Sequence, residues 1–362
     1  MTTFAINAKS PLAILDFGLV TPLATGWQES CAAMKAGYDA FVYPEGSRYP
    51  IAEVPFNESI RGYKRLAHLL NLARQDLTKQ YDAMPVLCAL PDPKRATLLD
   101  TASTKKKIFD EIAKIPEFQG KFHRDYLECF DQGRTSFVNQ LERAQEILQT
   151  TNHDRVMLMA VDSLLFPQTI NTLLADYWNK DPILGKCRIL KRGNGNDNVD
   201  GFIPAEAAAI IVVGKAEKHD SPYIIDGAAI ASEPIPILDA RVSKGEGLTT
   251  AIREACTAAG CTLNDYPARI ADLSGEQYFF REASLAQTRN LKTKVEHQPL
   301  LLPASHVGET GAVVGPIIMA MAIDSFMHDE KFGEKVLCHL SNDEHDRAAF
   351  SLRHRYLGAE TT

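Results

Sequence analysis

The chain has 362 residues, with 39 Lys+Arg against 46 Asp+Glu for a formal net charge of −7, and 45% of its residues are hydrophobic. That is enough apolar chain for a large buried core, as two domains or one fused α/β unit, and it excludes disordered and fibrous architectures. The mild acidic excess excludes a nucleic-acid footprint, which needs clustered cations; the short basic runs Lys105-Lys106-Lys107 and Lys191-Arg192 read as solvated surface.

The N-terminal stretch MTTFAINAKSPLAILDFG carries one lysine before a strand-like run and lacks the charged and long apolar regions of a secretory leader, so a cytoplasmic protein is expected. Strands are predicted at 12–16, 86–90, 156–161, 209–213, 223–226, 269–273 and 336–340. Helices with apolar residues at spacings of three and four lie between them: Phe137, Leu141, Ala144 and Leu148 form one such face, and Leu248, Ile252, Ala255 and Ala259 another. This alternation predicts an α/β protein with largely buried sheets. The charged stretch Lys215 to Asp220 divides the strands into two sets, which predicts closely packed halves at 1–218 and 219–362. The apolar stretch Ala312 to Ile323 contains Gly315 and Pro316 and meets Asp324, too short for a bilayer span of about 20 residues, and reads as a buried helix.

The seven cysteines form no CxxC pair, so free thiols are expected rather than a disulfide scaffold or zinc ribbon. The polar loop Gly193 to Asp200 has the look of a calcium loop in Asn196, Asn198 and Asp200, but Ala207 stands where a bidentate glutamate is needed. Cys338, His339, Asp343, Glu344, His345 and Asp346 crowd potential ligands together without a tetrahedral spacing; 342–346 reads as a solvated acidic loop, and no metal or cofactor is expected.

The segments that begin at Phe17-Gly18-Leu19, Ala160-Val161-Asp162, Asp200-Gly201-Phe202 and Ser305-His306-Val307, in this order, resemble the β-ketoacyl synthases of the thiolase-like superfamily. Phe17-Gly18-Leu19-Val20-Thr21-Pro22-Leu23, followed by Gln28, Glu29, Ala32, Ala33 and Ala36-Gly37, looks like the first strand, turn and helix of that family. Ala160-Val161-Asp162-Ser163-Leu164-Leu165 is similar to its second motif. Asp200-Gly201-Phe202-Ile203-Pro204-Ala205-Glu206 resembles the DGF-x-x-GEGA segment. Ser305-His306-Val307-Gly308-Glu309-Thr310-Gly311-Ala312 resembles the histidine motif that opens a buried helix. The resemblance implies a thiolase fold: two pseudo-symmetric halves, each with a mixed five-stranded sheet, in α-β-α-β-α layers, paired as a dimer.

Condensation in such enzymes needs a thiolate at a helix N-terminus, paired histidines or a histidine and an asparagine, and an oxyanion hole. The resemblance places the nucleophile within Gln132-Gly133-Arg134-Thr135-Ser136, closest to Arg134, where there is no cysteine. Cys129 is the nearest thiol, and Asp100-Thr101-Ala102-Ser103 mimics the family's nucleophile string well upstream. Ser274 takes the slot of the first histidine, with Glu276 beside it; His306 keeps the second. The lysine before it is replaced within Leu302-Pro303-Ala304, and the closing glycine-rich loop appears as Asn342-Asp343-Glu344-His345-Asp346.

The expectation is therefore a catalytically degenerate synthase-like scaffold with relic positions Arg134, Ser274 and His306. It would bind a protein partner, as a homodimer or heterodimer in the manner of chain-length factors, or serve as an accessory factor for bacterial secretion effectors. An acyl-like ligand would be held by Thr135, Ser136, Glu276 and His306. Two alternatives stay open: an active acyltransferase or 3-oxoacyl synthase using Cys129, Thr135 or Ser136, and a hydrolytic Ser274, Glu276 and His306 arrangement.

Overall fold

The computed structural model describes residues 6–56, 60–93, 101–118, 122–174, 187–191, 197–328 and 332–355. Asp100, Arg192, Gly193 and Asn196, named above, lie outside the described residues, as do residues 1–5.

In chain order the strands are β1 (Leu12–Val20), β2 (Met84–Ala89), β3 (Phe122–Phe130), β4 (Arg155–Ser163), β5 (Glu206–Lys215), β6 (Tyr223–Ser232), β7 (Ala268–Ala271), β8 (Leu300–Leu301), β9 (Lys335–Ser341) and β10 (Asp346–His354). The helices are α1 (Trp27–Lys35), α2 (Tyr63–Gln75), α3 (Thr101–Ile112), α4 (Ser136–Thr150), α5 (Pro167–Leu174), α6 (Glu246–Ala258), α7 (Gln277–Asn290), α8 (Ala304–Val307) and α9 (Val314–His328).

The strand order is β3-β2-β4-β5-β1-β6-β10-β9-β7-β8. From one end, β2 runs parallel to β3 and β4, after which β4–β5 and β5–β1 are antiparallel. From the other end, β7 runs parallel to β8 and β9, after which β9–β10 and β10–β6 are antiparallel. The same pattern is thus written twice. The two copies touch through β1 and β6, which share only the pairs Leu12–Ile225 and Ala13–Ile224.

Burial on both faces explains the continuous apolar runs of the inner strands. In β4, Leu158 and Ala160 face the central core while Met157, Met159 and Val161 face an outer one. The central core holds α4 through Phe137, Val138, Leu141 and Leu148, and α9 through Ile317, Ile318 and Met319. Gly315 lets these two helices approach, since a Cβ there would stand 2.6 Å from that of Phe137. The outer layers are α2 with α3 on one side and α6 with α7 on the other. The result is the α-β-α-β-α arrangement of the thiolase fold.

Several elements differ from the sequence expectation. Strand β1 continues to Val20 through a register shift between Ile14 and Asp16. The buried Asp16 carboxylate there accepts bonds from the Phe17, Thr78 and Lys79 N–H groups and from the Tyr81 hydroxyl. Strand β3 is interrupted by charges in sequence and occupies the sheet edge, where alternation is relaxed. Strand β10 looks too charged for an interior strand, but Arg347 is fully buried and bonds both Glu282 oxygens through Nε at 2.8 Å. The stretch Gly311–His328 is apolar enough to cross a membrane by length and composition, yet 78% of it is buried within this fold.

Candidate functional site

The elbow between β3 and α4 carries the predicted nucleophile window. Gly133 takes φ +60° and a short 3-10 turn spans Gly133–Thr135 before α4 begins. The turn aims Arg134 inward, leaving it 1% exposed. Its Nη1 donates to Glu309 at 3.2 Å and its Nη2 to Asp343 at 2.9 Å, while Nε stands 3.7 Å from Asp272. The guanidinium carbon lies 4.3 Å from the centre of the Phe279 ring, a cation–π contact on its remaining face.

The network extends through Arg188, which donates to both Glu276 oxygens at 2.7 Å and to both Asp343 oxygens at 2.7 and 3.1 Å. Asp343 therefore bridges two arginines that lie 54 residues apart by number (188 − 134). The acids come from the end of β7 (Asp272), the loop before α7 (Glu276), the glycine loop before α9 (Glu309) and the β9–β10 turn (Asp343). Burial pushes the Asp272 carboxyl up to about 7, against the pull of Arg134 and of the Ser341 N–H that donates to it at 2.8 Å. Burial works against the charge on Arg188, but Asp343 and Glu276 together outweigh it and hold its pKa well above the ordinary value. Two cations facing four carboxylates leave an acidic excess, part of which the raised Asp272 relieves by holding a proton near neutrality.

The β9–β10 turn is thus no solvated acidic loop. Asn342 and Asp343 are buried, because Arg347 donates to the Asn342 and Glu344 carbonyls while the two arginines of the network hold Asp343. Asn342 also donates to the Thr135 hydroxyl at 3.3 Å and to the Gln132 carbonyl at 3.2 Å, tying the turn to the elbow.

The Asp162 and Gly308–Ala312 motifs meet beside this elbow, whereas Glu206 braces β4 against α2. Asp162 accepts the Ala312 N–H at 2.9 Å, and at Gly311, φ +59°, a Cβ would meet Asp162 Oδ2 at 1.9 Å. Glu309 Oε1 accepts the Gly311 N–H at 2.9 Å. Glu206, fully buried, accepts from Ser163 Oγ at 2.9 Å, from the Val54 N–H at 3.0 Å and from Arg65 Nε.

Of the residues singled out by sequence, Arg134 and Glu276 belong to the network and Thr135 borders it. Ser136 and Ser274 have buried hydroxyls with no hydrogen-bond partner among the described residues. His306 lies elsewhere: it is half-exposed on α8, its Nδ1 stands 2.8 Å from the Tyr38 carbonyl oxygen, and it lines a cavity of about 530 Å³ with Cys31, Met34, Met321, Asp324 and Phe332. No Ser274–His306 hydrogen bond forms, and Glu276 is committed to Arg188, so the hydrolytic arrangement is not assembled. Cys129 sits on β3 opposite Cys88, where burial raises its thiol.

The crowded ligand types near residue 340 also diverge. His339 is buried on β9 with its pKa lowered to about 3 by burial and by Arg269, Asp343 joins the arginines, and His345 Nδ1 lies 2.7 Å from the Glu233 carbonyl oxygen. Among the described residues no group of three or more His, Cys, Asp or Glu could hold a metal ion.

Sequence reasoning missed Arg188, Asp272 and Asp343 as network members. Glu309 offered a signal, a carboxylate between Gly308 and Gly311 in an otherwise small and apolar motif.

No family model and no curated protein matches the chain. Solved structures do. A type II PKS acyl-carrier protein in complex with its ketosynthase aligns with TM-score 0.72 at 14% identity, covering 96% of this chain and all of that one. The ishigamide ketosynthase/chain length factor aligns with TM-score 0.66 at 15% identity, covering 95% and 99%. A β-ketoacyl synthase from Burkholderia phymatum aligns with TM-score 0.65 at 15% identity, covering 96% and 100%. The fold of this chain is the thiolase-like, β-ketoacyl synthase-like fold.

Proposed function

We propose that this chain is a non-condensing, synthase-like scaffold that acts through a protein partner, with residues 1–218 and 219–362 as its two thiolase-like halves. The observation that carries this is Arg134. Covalent acyl transfer on this fold needs a thiolate at the start of α4, where the helix dipole stabilises the anion. A guanidinium held by Glu309 and Asp343 occupies that turn instead, and the surrounding carboxylates would raise the pKa of any thiol placed among them. Cys129, Thr135 and Ser136 offer no replacement: burial raises the thiol of the first, the second donates its hydroxyl to the Gln132 carbonyl at 3.1 Å, and the hydroxyl of the third has no hydrogen-bond partner among the described residues to activate it.

The partner is a second copy or a related synthase subunit, in the manner of a chain-length factor, or a client in a cytoplasmic accessory role. Neighbours that pair a ketosynthase with a chain length factor support the subunit role. The exposed side chains Tyr38, Val42 and Tyr43, on the loop that His306 holds, give such a partner an apolar foothold. An acyl-like ligand fits the cavity beside His306, whose walls include Met34, Leu301, Leu302 and Met321. The test is a condensation assay with acyl and malonyl thioesters on the purified chain, following carbon dioxide release and ketoacyl product. No turnover above the protein-free control is expected; turnover lost in Cys129→Ala would overturn the proposal.

A further inference from the structure

Helix α6 ends in a left-handed cap. Gly260 takes φ +70°, its N–H donates to the Thr257 carbonyl at 3.0 Å, and the next N–H, that of Cys261, reaches back to the Cys256 carbonyl at 2.9 Å. This pair of bonds is the Schellman motif, which sets the side chains at its two outer positions against each other; apolar residues usually fill both and seal the helix end. Here both are cysteines. Cys256 is buried, whereas Cys261 is half-buried and reachable from solvent. The Cys261 Sγ stands 3.6 Å from the Cys256 carbonyl oxygen and 3.1 Å from the Tyr266 hydroxyl.

The two thiols also act on each other. Cys256 holds the Cys261 thiol below its ordinary value, with Tyr266 and Lys335 working the same way against burial; the same contact, together with burial, raises Cys256. One sulfur is thus half-buried and thiolate-prone, and the other is buried and adjacent. That division of roles suits an attacking and a resolving thiol.

We infer that Cys261 and Cys256 form a reversible modification site for small-molecule disulfides, in which Cys261 attacks and Cys256 resolves. In the first step the Cys261 thiolate attacks one sulfur of R–S–S–R, forming Cys261–S–S–R and expelling RS⁻. In the second, the Cys256 sulfur attacks Cys261 Sγ and its proton passes to the departing group, so that the second R–S leaves as RSH. The protein gives up two electrons and the protons of two thiols, and the small disulfide leaves as two thiols. The bond closes a short ring at the end of α6, the helix that packs beside α7 with Phe279 and Glu282. This site is independent of the reading of Arg134.

The test treats the reduced full-length chain with glutathione disulfide, followed by acid quench, alkylation and peptide mass spectrometry. Wild type is expected to lose two hydrogens with Cys256 and Cys261 joined, reversibly on adding dithiothreitol. Cys256→Ser is expected to accumulate a Cys261–glutathione adduct, and Cys261→Ser to leave Cys256 unmodified. The adduct should form at least about tenfold faster than modification of the fully buried Cys88 and Cys338. Glutathione persisting on Cys261 in wild type without the internal bond overturns the inference, as does a wild type whose two thiols stay free while its other thiols react.

Discussion

Replacing Arg134 with methionine removes one of two guanidiniums from the buried cluster while keeping most of the side-chain volume, so the change is mainly one of charge. In the native network the lost bonds are those at 3.2 Å to Glu309 and 2.9 Å to Asp343, with the contact over Phe279. Asp343 keeps Arg188, and Glu309 keeps the Gly311 N–H. Glu309 then loses its bond to a guanidinium, and Asp272 keeps only the weaker pull of Arg347. Breaking a buried ion pair by removing one partner costs about 3–5 kcal/mol, and retention of Arg188 places this loss toward the lower end. Urea unfolding at about pH 8 should report it as a shift in midpoint at unchanged slope. The deficit should shrink at about pH 5, where the uncompensated carboxylates take up protons. A loss below about 1 kcal/mol, or one equal at both pH values, would refute the role of Arg134 as counter-charge to the cluster.

Asp272 gives a second pH test. Its folded pKa of about 7 stands above the ordinary 3.8, so the fold holds a proton that the unfolded chain releases. That stabilisation is complete below about pH 4 and is lost as pH rises through about 7. Asp272→Asn should flatten the decline in stability across this window; an unchanged slope would show that another group sets it. Gly311→Ala, at φ +59° with its Cβ 1.9 Å from Asp162 Oδ2, should lower the melting temperature by the equivalent of about 1–3 kcal/mol from backbone strain alone, with the clash adding to it, and an unchanged melting curve would contradict the Asp162–Gly311 packing. His306→Ala removes one bond to the Tyr38 carbonyl and should cost no more than about 1.5 kcal/mol; a loss matching Arg134→Met would place His306 in the buried network instead.

The inner strands were legible because β4 and β5 are apolar on both faces and turn polar only at their ends. Strand β10 was not, because Arg347 is neutralised by Glu282, 65 residues away in sequence, and no local pattern announces that pairing. The turn before α4 is legible as the window Gln132–Ser136 from its distance to the Asp162 motif, and the lack of a thiol there as Arg134. What filled it was not: the Arg134–Asp343 bond spans 209 residues and joins one sheet half to the other. A run such as Asn342-Asp343-Glu344-His345-Asp346 reads as solvated until its carboxylates acquire partners. His306 shows the converse. Its motif resemblance suggested a site residue, but α8 turns its ring toward Tyr38, and Glu309 supplies the side chain that reaches the elbow.

A salt-bound arginine occupies the turn before α4, and on the function proposed above no acyl intermediate should form there. Intact-mass spectrometry of the wild-type chain after incubation with a long-chain acyl thioester tests it most directly, with Cys129→Ala and a Thr135→Ala/Ser136→Ala variant alongside. No covalent acyl mass is expected on any of them; a stoichiometric adduct on wild type that disappears in either variant would overturn the proposed function.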